Sequence, residues 1–277
     1  KYEEVIKVLD EKALSTRRNY TSSILVFLSP TGRGKYQKGY AKTAGKYSAY
    51  LIELAKQYET KSKEQSKSAK QEKNWSTMDA LKGIMKGYQM DIKDKGYSQK
   101  CVPLKKKSDL YLIQKYLVCG LYLLIPPRRN VYAGVKMISA ADYKKVPDDS
   151  KDNYLVVVNR NKKYFQFNNY KTVKTHGKQK VDVPKALNTI INLWRCYNKT
   201  EHLLLNSRGS VMTENAMTKF IQKTFAKTKK KISSTMIRHI YLTEKYGDQI
   251  PLSEKEDDAV AMGHSVDTQQ GTYVKVD

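Results

Sequence analysis

The strongest constraint on the fold is a nearly unbroken apolar stretch, residues 116–125 (YLVCGLYLLI), followed at once by Pro126 and Pro127. Proline lacks a backbone donor and clashes with the preceding turn, so the pair ends any helix that reaches it. With Ser108 or Asp109 available as a cap, the segment reads as one helix over residues 110–125. A helix that is apolar on every side belongs inside a folded body. At ten residues the run is too short to cross a bilayer, which takes about 18 or more. The rest of the chain must therefore wrap it, and 277 residues suffice for about two domains.

The N-terminal part reads as helices: one over residues 1–12, then one with Ser15 or Thr16 as cap that contains Ile24, Leu25, Val26, Phe27 and Leu28. Pro30, Gly32 and Gly34 stop the second. Over residues 36–58, Tyr40, Tyr47, Tyr50, Leu51 and Leu54 recur at helical spacing and predict a buried stripe. Residues 60–71 (TKSKEQSKSAKQ) carry nothing apolar larger than alanine and read as a basic linker. The predicted domains are therefore residues 1–68 and 69–277.

Ser76 and Asp79 have the spacing of a capping box, with Met78, Leu81, Ile84 and Met85 continuing a helix behind them. Residues 154–158, 164–173 and 179–183 are β-rich and separated by turn residues, predicting a small antiparallel sheet of about three strands. Helices follow over 186–197 and 213–229, the latter capped by Thr213. From Ser233 onward the pattern is helical, interrupted at 247–251 and at Gly263. The expected fold is mainly α with a small antiparallel sheet (α+β), without internal repeats.

Lys and Arg number 52 against 27 Asp and Glu, a net charge of +25. Such an excess implies a polyanionic partner. Residues 1–100 hold 21 basic and 11 acidic side chains and the remainder 31 and 16, so both parts are basic. Cys101, Cys119 and Cys196 are odd in number and far apart, fitting neither a disulfide framework nor a zinc site. Free thiols in a reducing intracellular compartment are expected. The chain opens on Lys1 rather than Met, with no signal-peptide pattern, and reads as trimmed. Glu254, Glu256, Asp257 and Asp258 precede an apolar helix and read as N-terminal dipole partners rather than metal ligands. His176 and His202 read as turn and surface residues.

Chemistry concentrates in a few ordered motifs: Pro127-Arg128-Arg129-Asn130, a lysine-rich hairpin, Met236-Ile237-Arg238-His239, Met262-Gly263-His264-Ser265, and Tyr273 nine residues after His264. In this order they resemble the catalytic domain of the tyrosine recombinase (phage integrase) family. The resemblance covers about residues 74–277, and more loosely the N-terminal helices, which look like that family's core-binding domain. The P-P-R-R-N segment, the N-W-S-x-M-D helix start and the Lys-Thr-rich hairpin look closest to integrase-like recombinases of large DNA viruses and virophages.

The resemblance implies a site-specific recombinase that cleaves and rejoins DNA through a covalent 3′-phosphotyrosyl intermediate, as a homotetramer on two duplexes, with no cofactor and no metal. Arg128, Arg238 and His264 would stabilise the pentacoordinate phosphate, since guanidiniums and a hydrogen-bond donor can hold its added negative charge. Lys174 would protonate the leaving 5′ oxygen, and Tyr273 would be the nucleophile. Arg129 and Lys171 are the alternatives at their two positions. The register of Val131, Tyr132 and Val135 favours Arg128. On an extended strand Lys171 and Lys174 would face opposite sides, so only one could reach the phosphate.

Many relatives carry His three residues before the second arginine, where this chain has Thr235. A threonine hydroxyl can bond a phosphate but has no pKa near neutrality. His239 compensates only if it turns inward. Arg17, Arg18, Arg33, Lys35, Lys227, Lys229, Lys230 and Lys231 are the expected sequence-independent contacts to duplex phosphates. Two other readings stand beside recombination: nicking and resealing in the manner of a type IB topoisomerase, and a non-catalytic architectural or regulatory DNA-binding protein.

Overall fold

A computed structural model describes residues 1–29, 36, 39–63, 66–246 and 252–275. The chain divides into two compact units, Lys1–Ser66 and Lys67–Asp277.

The first unit holds α1 (Tyr2–Asp10), α2 (Leu14–Leu28) and α3 (Ala41–Lys63). Glu3 and Glu4 sit in the first turn of α1, where carboxylates favour the positive end of the helix dipole. Its other end is closed by Arg17, whose Nε and Nη2 donate to the carbonyls of Lys12 and Asp10 at 2.8 and 2.7 Å. The small core contains Leu9, Thr21, Ala44, Tyr47 and Leu54. Tyr47 and Leu54 of the predicted stripe are thus buried, whereas Tyr40 is 49% exposed, because it stands in the turn before α3 begins. The helix α2 starts with Ala13 as its N-cap rather than Ser15 or Thr16. The predicted stops Pro30, Gly32 and Gly34 lie outside the described residues.

Among the described residues of the predicted linker over 60–71, both ends are helical. Residues 60–63 complete α3, and Ala69–Asn74 form α4, started by Ser68, whose hydroxyl accepts from Gln71 N. Alanine, lysine, glutamine and glutamate are good helix formers even without an apolar face, so a lack of packing residues did not imply a lack of structure. In α5 (Met78–Asp94) the cap is Thr77, accepting from Ala80 N, one residue after the predicted Ser76.

The apolar segment forms α6 (Lys107–Leu123), with Ile113, Gln114 and residues 116–123 buried. Asp109 serves its start from inside the first turn, accepting from Lys106 N and from Tyr97 Oη. Around α6 pack α5 and, farther along the chain, α9 (Lys185–Tyr197). After Pro127 the chain makes a 3-10 turn at Asn130–Tyr132, then β1 (Lys136–Ser139), α7 (Ala140–Tyr143), β2 (Tyr154–Val157) and β3 (Lys163–Phe167). A single-turn α8 (Val173–His176) and β4 (Gln179–Asp182) precede α9. The sheet order is β1-β2-β3-β4, with β1 parallel to β2 and the other pairs antiparallel.

The fold class is the expected α+β, but the sheet has four strands and is mixed. β1 is only four residues long and carries no alternation to announce it; its partner, not its sequence, makes it a strand. The strand predicted over 164–173 ends at Phe167. There Asn153 Oδ1 accepts from the backbone N–H groups of Asn168 and Asn169, replacing the ladder with a turn.

Helices α10 (Glu214–Thr224), α11 (Ser234–Tyr246), α12 (Leu252–Met262) and α13 (Val266–Thr268) complete the chain, followed by a π-helical turn at Gln269–Tyr273. Thr213 caps α10 as predicted, accepting from Ala216 N. The expected break at 247–251 lies outside the described residues. Among the described residues no helix is long and apolar enough to cross a membrane.

The cysteine expectation is corrected. Cys101 and Cys196 form a disulfide with Cα atoms 5.0 Å apart, leaving Cys119 as the free thiol, buried in α6. The partners are 95 residues apart, so no spacing pattern links them. Tyr197 brings them together: its hydroxyl donates to Ser98 O and accepts from Ser98 N, docking the loop after α5 on the end of α9.

Candidate active site

The site is assembled on three local structures. The first is the segment after α6. Tyr122 Oη donates to Arg129 O, and the Asn130 side chain is bonded to Ser234 Oγ at 2.8 Å and Thr218 Oγ1 at 2.8 Å. The Arg128-Arg129 pair is thereby pinned between α6, α10 and α11.

The second is the Gly-His-Ser motif, which local geometry explains in full. Gly263, at φ +70, ends α12 in the left-handed conformation that glycine adopts without strain. Gly263 N donates to Val260 O and His264 N to Ala259 O, the paired bonds of a Schellman cap. Ser265 then caps α13 by accepting from Thr268 N. His264 is the residue caught between a helix stop and a helix start.

The third is the π-helical turn at Gln269–Tyr273, which brings Tyr273 against α11. Wide turns of this kind recur at functional sites. Tyr273 is buried at 3% exposure, its ring 4.3 Å from the Arg238 guanidinium carbon and edge-on to His264 at 5.2 Å. Arg129 Nη2 donates to Tyr273 Oη at 3.1 Å. Arg238, His264, Arg129 and Tyr273 are thus brought together from positions up to 144 residues apart.

The electrostatics are unusual for a protein interior. Arg238 is fully buried, and among the described residues nothing hydrogen-bonds its Nε, Nη1 or Nη2. Burial, reinforced by the neighbouring Arg129 and Arg128, lowers its pKa to about 10. Both ring nitrogens of His264 are likewise buried, with no hydrogen-bond partner among the described residues. Burial and the charges of Arg238 and Arg129 push its pKa down to about 3, so the imidazole is neutral. An uncompensated buried cation is costly unless an anion completes it. The site is therefore built to receive negative charge.

Arg128 and Arg129 are placed differently. Arg128 is 2% exposed, stacked over Phe167 at 4.3 Å and Tyr170 at 5.1 Å. It donates to Ala261 O and to Gln179 Oε1, while its Nε has no partner among the described residues. Arg129 instead lines an open cleft of about 650 Å³, together with Asn130, Lys151, Asn169, Lys171 and Thr235. Lys171 is an exposed residue of that wall. Lys174 stands on α8 and is not among the cleft residues. Neither lysine lies on a strand, so the alternation expected between them does not apply.

Thr235 is exposed at the cleft, three residues before the buried Arg238. His239 does turn inward: it is 6% exposed, with its ring 5.0 Å from that of Tyr273. Sequence reasoning missed Gln179, Tyr170 and Gln71, which hold Arg128 and His239 in place; such residues on a strand, a loop and a short helix carry no signal of their own.

The expected DNA-contacting residues divide. Arg17 is engaged by α1, also facing Asp10 Oδ1 at 3.3 Å, and Arg18 covers the Tyr58 ring at 4.5 Å. Arg33 and Lys35 lie outside the described residues. Lys227 faces Asp91 at 3.9 Å, and Lys230 Nζ donates to Trp75 O. Lys231 N donates to Asn74 Oδ1, and Lys229 takes a left-handed conformation at φ 57. The side chains of Lys227, Lys229 and Lys231 remain exposed. Of the acidic cluster, Asp258 is buried and accepts from Tyr246 Oη at 2.6 Å and Tyr241 Oη at 3.1 Å, joining α12 to α11. Among the described residues no cluster of three or more His, Cys, Asp or Glu is arranged to hold a metal.

No protein-family model matches the chain, and no curated protein matches it. Among solved structures, the chain is similar to the crystal structure of XerA recombinase, over 99% of this chain and 84% of that one, at 12% identity and a TM-score of 0.46.

Proposed function

We propose that the second unit cleaves and rejoins DNA strands with Tyr273 as nucleophile, and that the protein is a site-specific recombinase. One observation carries this reading: a buried Arg238 with no hydrogen-bond partner among the described residues lies against a tyrosine whose hydroxyl is bonded to Arg129.

Tyr273 Oη attacks the phosphorus, forming a phosphotyrosyl bond as the bond to the 5′ oxygen breaks. The unpartnered Arg238 donors and Arg129 stabilise the charge that develops on the non-bridging oxygens. Neutral His264, edge-on to the Tyr273 ring, donates a ring N–H to the same oxygens, and the tyrosine proton passes to solvent, since an imidazole held at a pKa of about 3 is a poor acceptor and Thr235 has no pKa near neutrality. Lys171, in the cleft wall, protonates the leaving oxygen, with Lys174 the alternative. Arg128 buttresses residues 261–263 through its bonds to Ala261 and Gln179. Rejoining reverses these steps with a different 5′ hydroxyl.

The remaining parts of the reading are a DNA-binding role for the helical first unit and a homotetramer on two duplexes. The resemblance to integrases of large DNA viruses and virophages makes the ends of such an element the substrate to use. The test is covalent trapping on nicked duplexes followed by denaturation in SDS. A DNA-linked band in the wild type and none in Tyr273→Phe is expected. Tight binding without a band would favour the architectural reading, to which Thr235 lends support.

A further inference from the structure

Gln71 lies on α4, the first helix of the second unit, and its amide is held at both ends. Its Oε1 accepts from Ser68 N and Ser68 Oγ, each at 2.9 Å. With the oxygen engaged there, the amide nitrogen faces the other way, 3.1 Å from His239 Nε2. An amide nitrogen only donates, so Nε2 must present its lone pair and the ring proton must sit on Nδ1. His239 Nδ1 is 2.9 Å from the carbonyl oxygen of Tyr273. The hydrogen bonds therefore run in one direction, from Gln71 through the imidazole to the main chain of the tyrosine.

We propose that His239 is a positioning residue for the nucleophile, donating Nδ1–H to the Tyr273 carbonyl in the neutral tautomer that Gln71 selects. The inference rests on the reading of Tyr273 as nucleophile. Carbonyls at the end of a helical turn lack partners within it, and the imidazole supplies one here. Tyr273 is then clamped at both ends, its carbonyl by His239 and its hydroxyl by Arg129. Burial is the main influence on the ring's protonation; the Tyr273 carbonyl favours the charged form, Lys275 after the π-helical turn and Arg238 on α11 oppose it, and the balance holds the imidazole at a pKa of about 4. The Gln71 donor on α4 also faces Nε2 and leaves no room for a second ring proton there. The fixed tautomer is the arrangement by which a hydrogen-bonded neighbour orients a functional histidine.

Two readouts test this. The first is long-range proton–nitrogen NMR of the full chain labelled in its four histidines. Between about pH 5.5 and 8, His239 is expected as the neutral Nδ1–H tautomer. In Gln71→Glu, whose carboxylate accepts rather than donates, it is expected to gain a proton on Nε2. An Nε2–H tautomer in the wild type, or a His239 indifferent to Gln71→Glu, would overturn the relay.

The second readout is the cleavage rate at saturating nicked duplex. Asparagine places a donor where Nδ1–H stood and glutamine does not, so His239→Asn should stay within about threefold of wild type. His239→Gln should fall about tenfold or more, with duplex affinity unchanged in both. Equal rates in the two variants would overturn the positioning role. If the wild type forms no adduct at all, the nucleophile reading fails, and the tautomer measurement still decides the relay.

Discussion

At the scale of single residues, the candidate site holds ionisable groups in disfavoured states. His239 and His264 have pKa values near 4 and 3, below the ordinary value of about 6.5. Between those values and 6.5 the unfolded chain binds more protons than the folded one, so stability rises with pH across that window. Acidification from about pH 6.5 to 4.5 should therefore destabilise the protein, by about 1.4 kcal/mol per pH unit for each histidine. The melting temperature of His264→Asn should fall less than that of wild type over the same range; an equal fall would show that His264 is not buried neutral. Gly263 is constrained twice, by φ +70 and by a Cβ that would lie 3.1 Å from both Arg128 Nη2 and the Tyr170 ring. Gly263→Ala should cost about 1–2 kcal/mol from the backbone alone and disturb the Arg128 buttress. Denaturant unfolding reads the first effect and covalent trapping the second.

At the scale of elements, the site is set by how helices stop and start. Residues 263–265 combine a Schellman glycine with a serine N-cap, so the imidazole between them has little freedom. The G-H-S pattern was legible in the sequence because its hydrogen bonds are local. The disulfide was not, because Cys101 and Cys196 meet only once Tyr197 docks the loop at Ser98. Closing a loop of 95 residues contributes about 4–5 kcal/mol on the chain-entropy account. Non-reduced, denatured protein should titrate one thiol per chain, that of Cys119, and reduction should lower the melting temperature. Three thiols per chain would remove the disulfide.

At the scale of the whole molecule, charge dominates. The excess of 25 positive charges is spread over both units rather than confined to a tail. If contacts to about 6–10 phosphates form, affinity for duplex DNA should drop about 10³- to 10⁵-fold between 50 and 200 mM salt. Fluorescence anisotropy of a labelled duplex measures this directly. A flat salt response would exclude the phosphate backbone as the main partner. Among the described residues nothing hydrogen-bonds the buried Arg238 guanidinium, so duplex binding and stability of the site should rise together.

Whatever depends on neighbours a few residues away was legible along the chain: the central apolar helix, the cap at Thr213, the glycine stop before His264, the basic character of both units, and the order of Arg238, His264 and Tyr273. The parallel pairing of β1 and the end at Phe167 of the strand expected over 164–173 arise only on packing, as do the reach of Arg129 to the tyrosine hydroxyl, the burial of Arg128, and the meeting of Gln71 with His239 across 168 residues. Periodicity and caps are written in local hydrogen bonds. Contacts between distant segments exist only after the core around α6 has packed, and no local pattern encodes which polar groups that packing brings together.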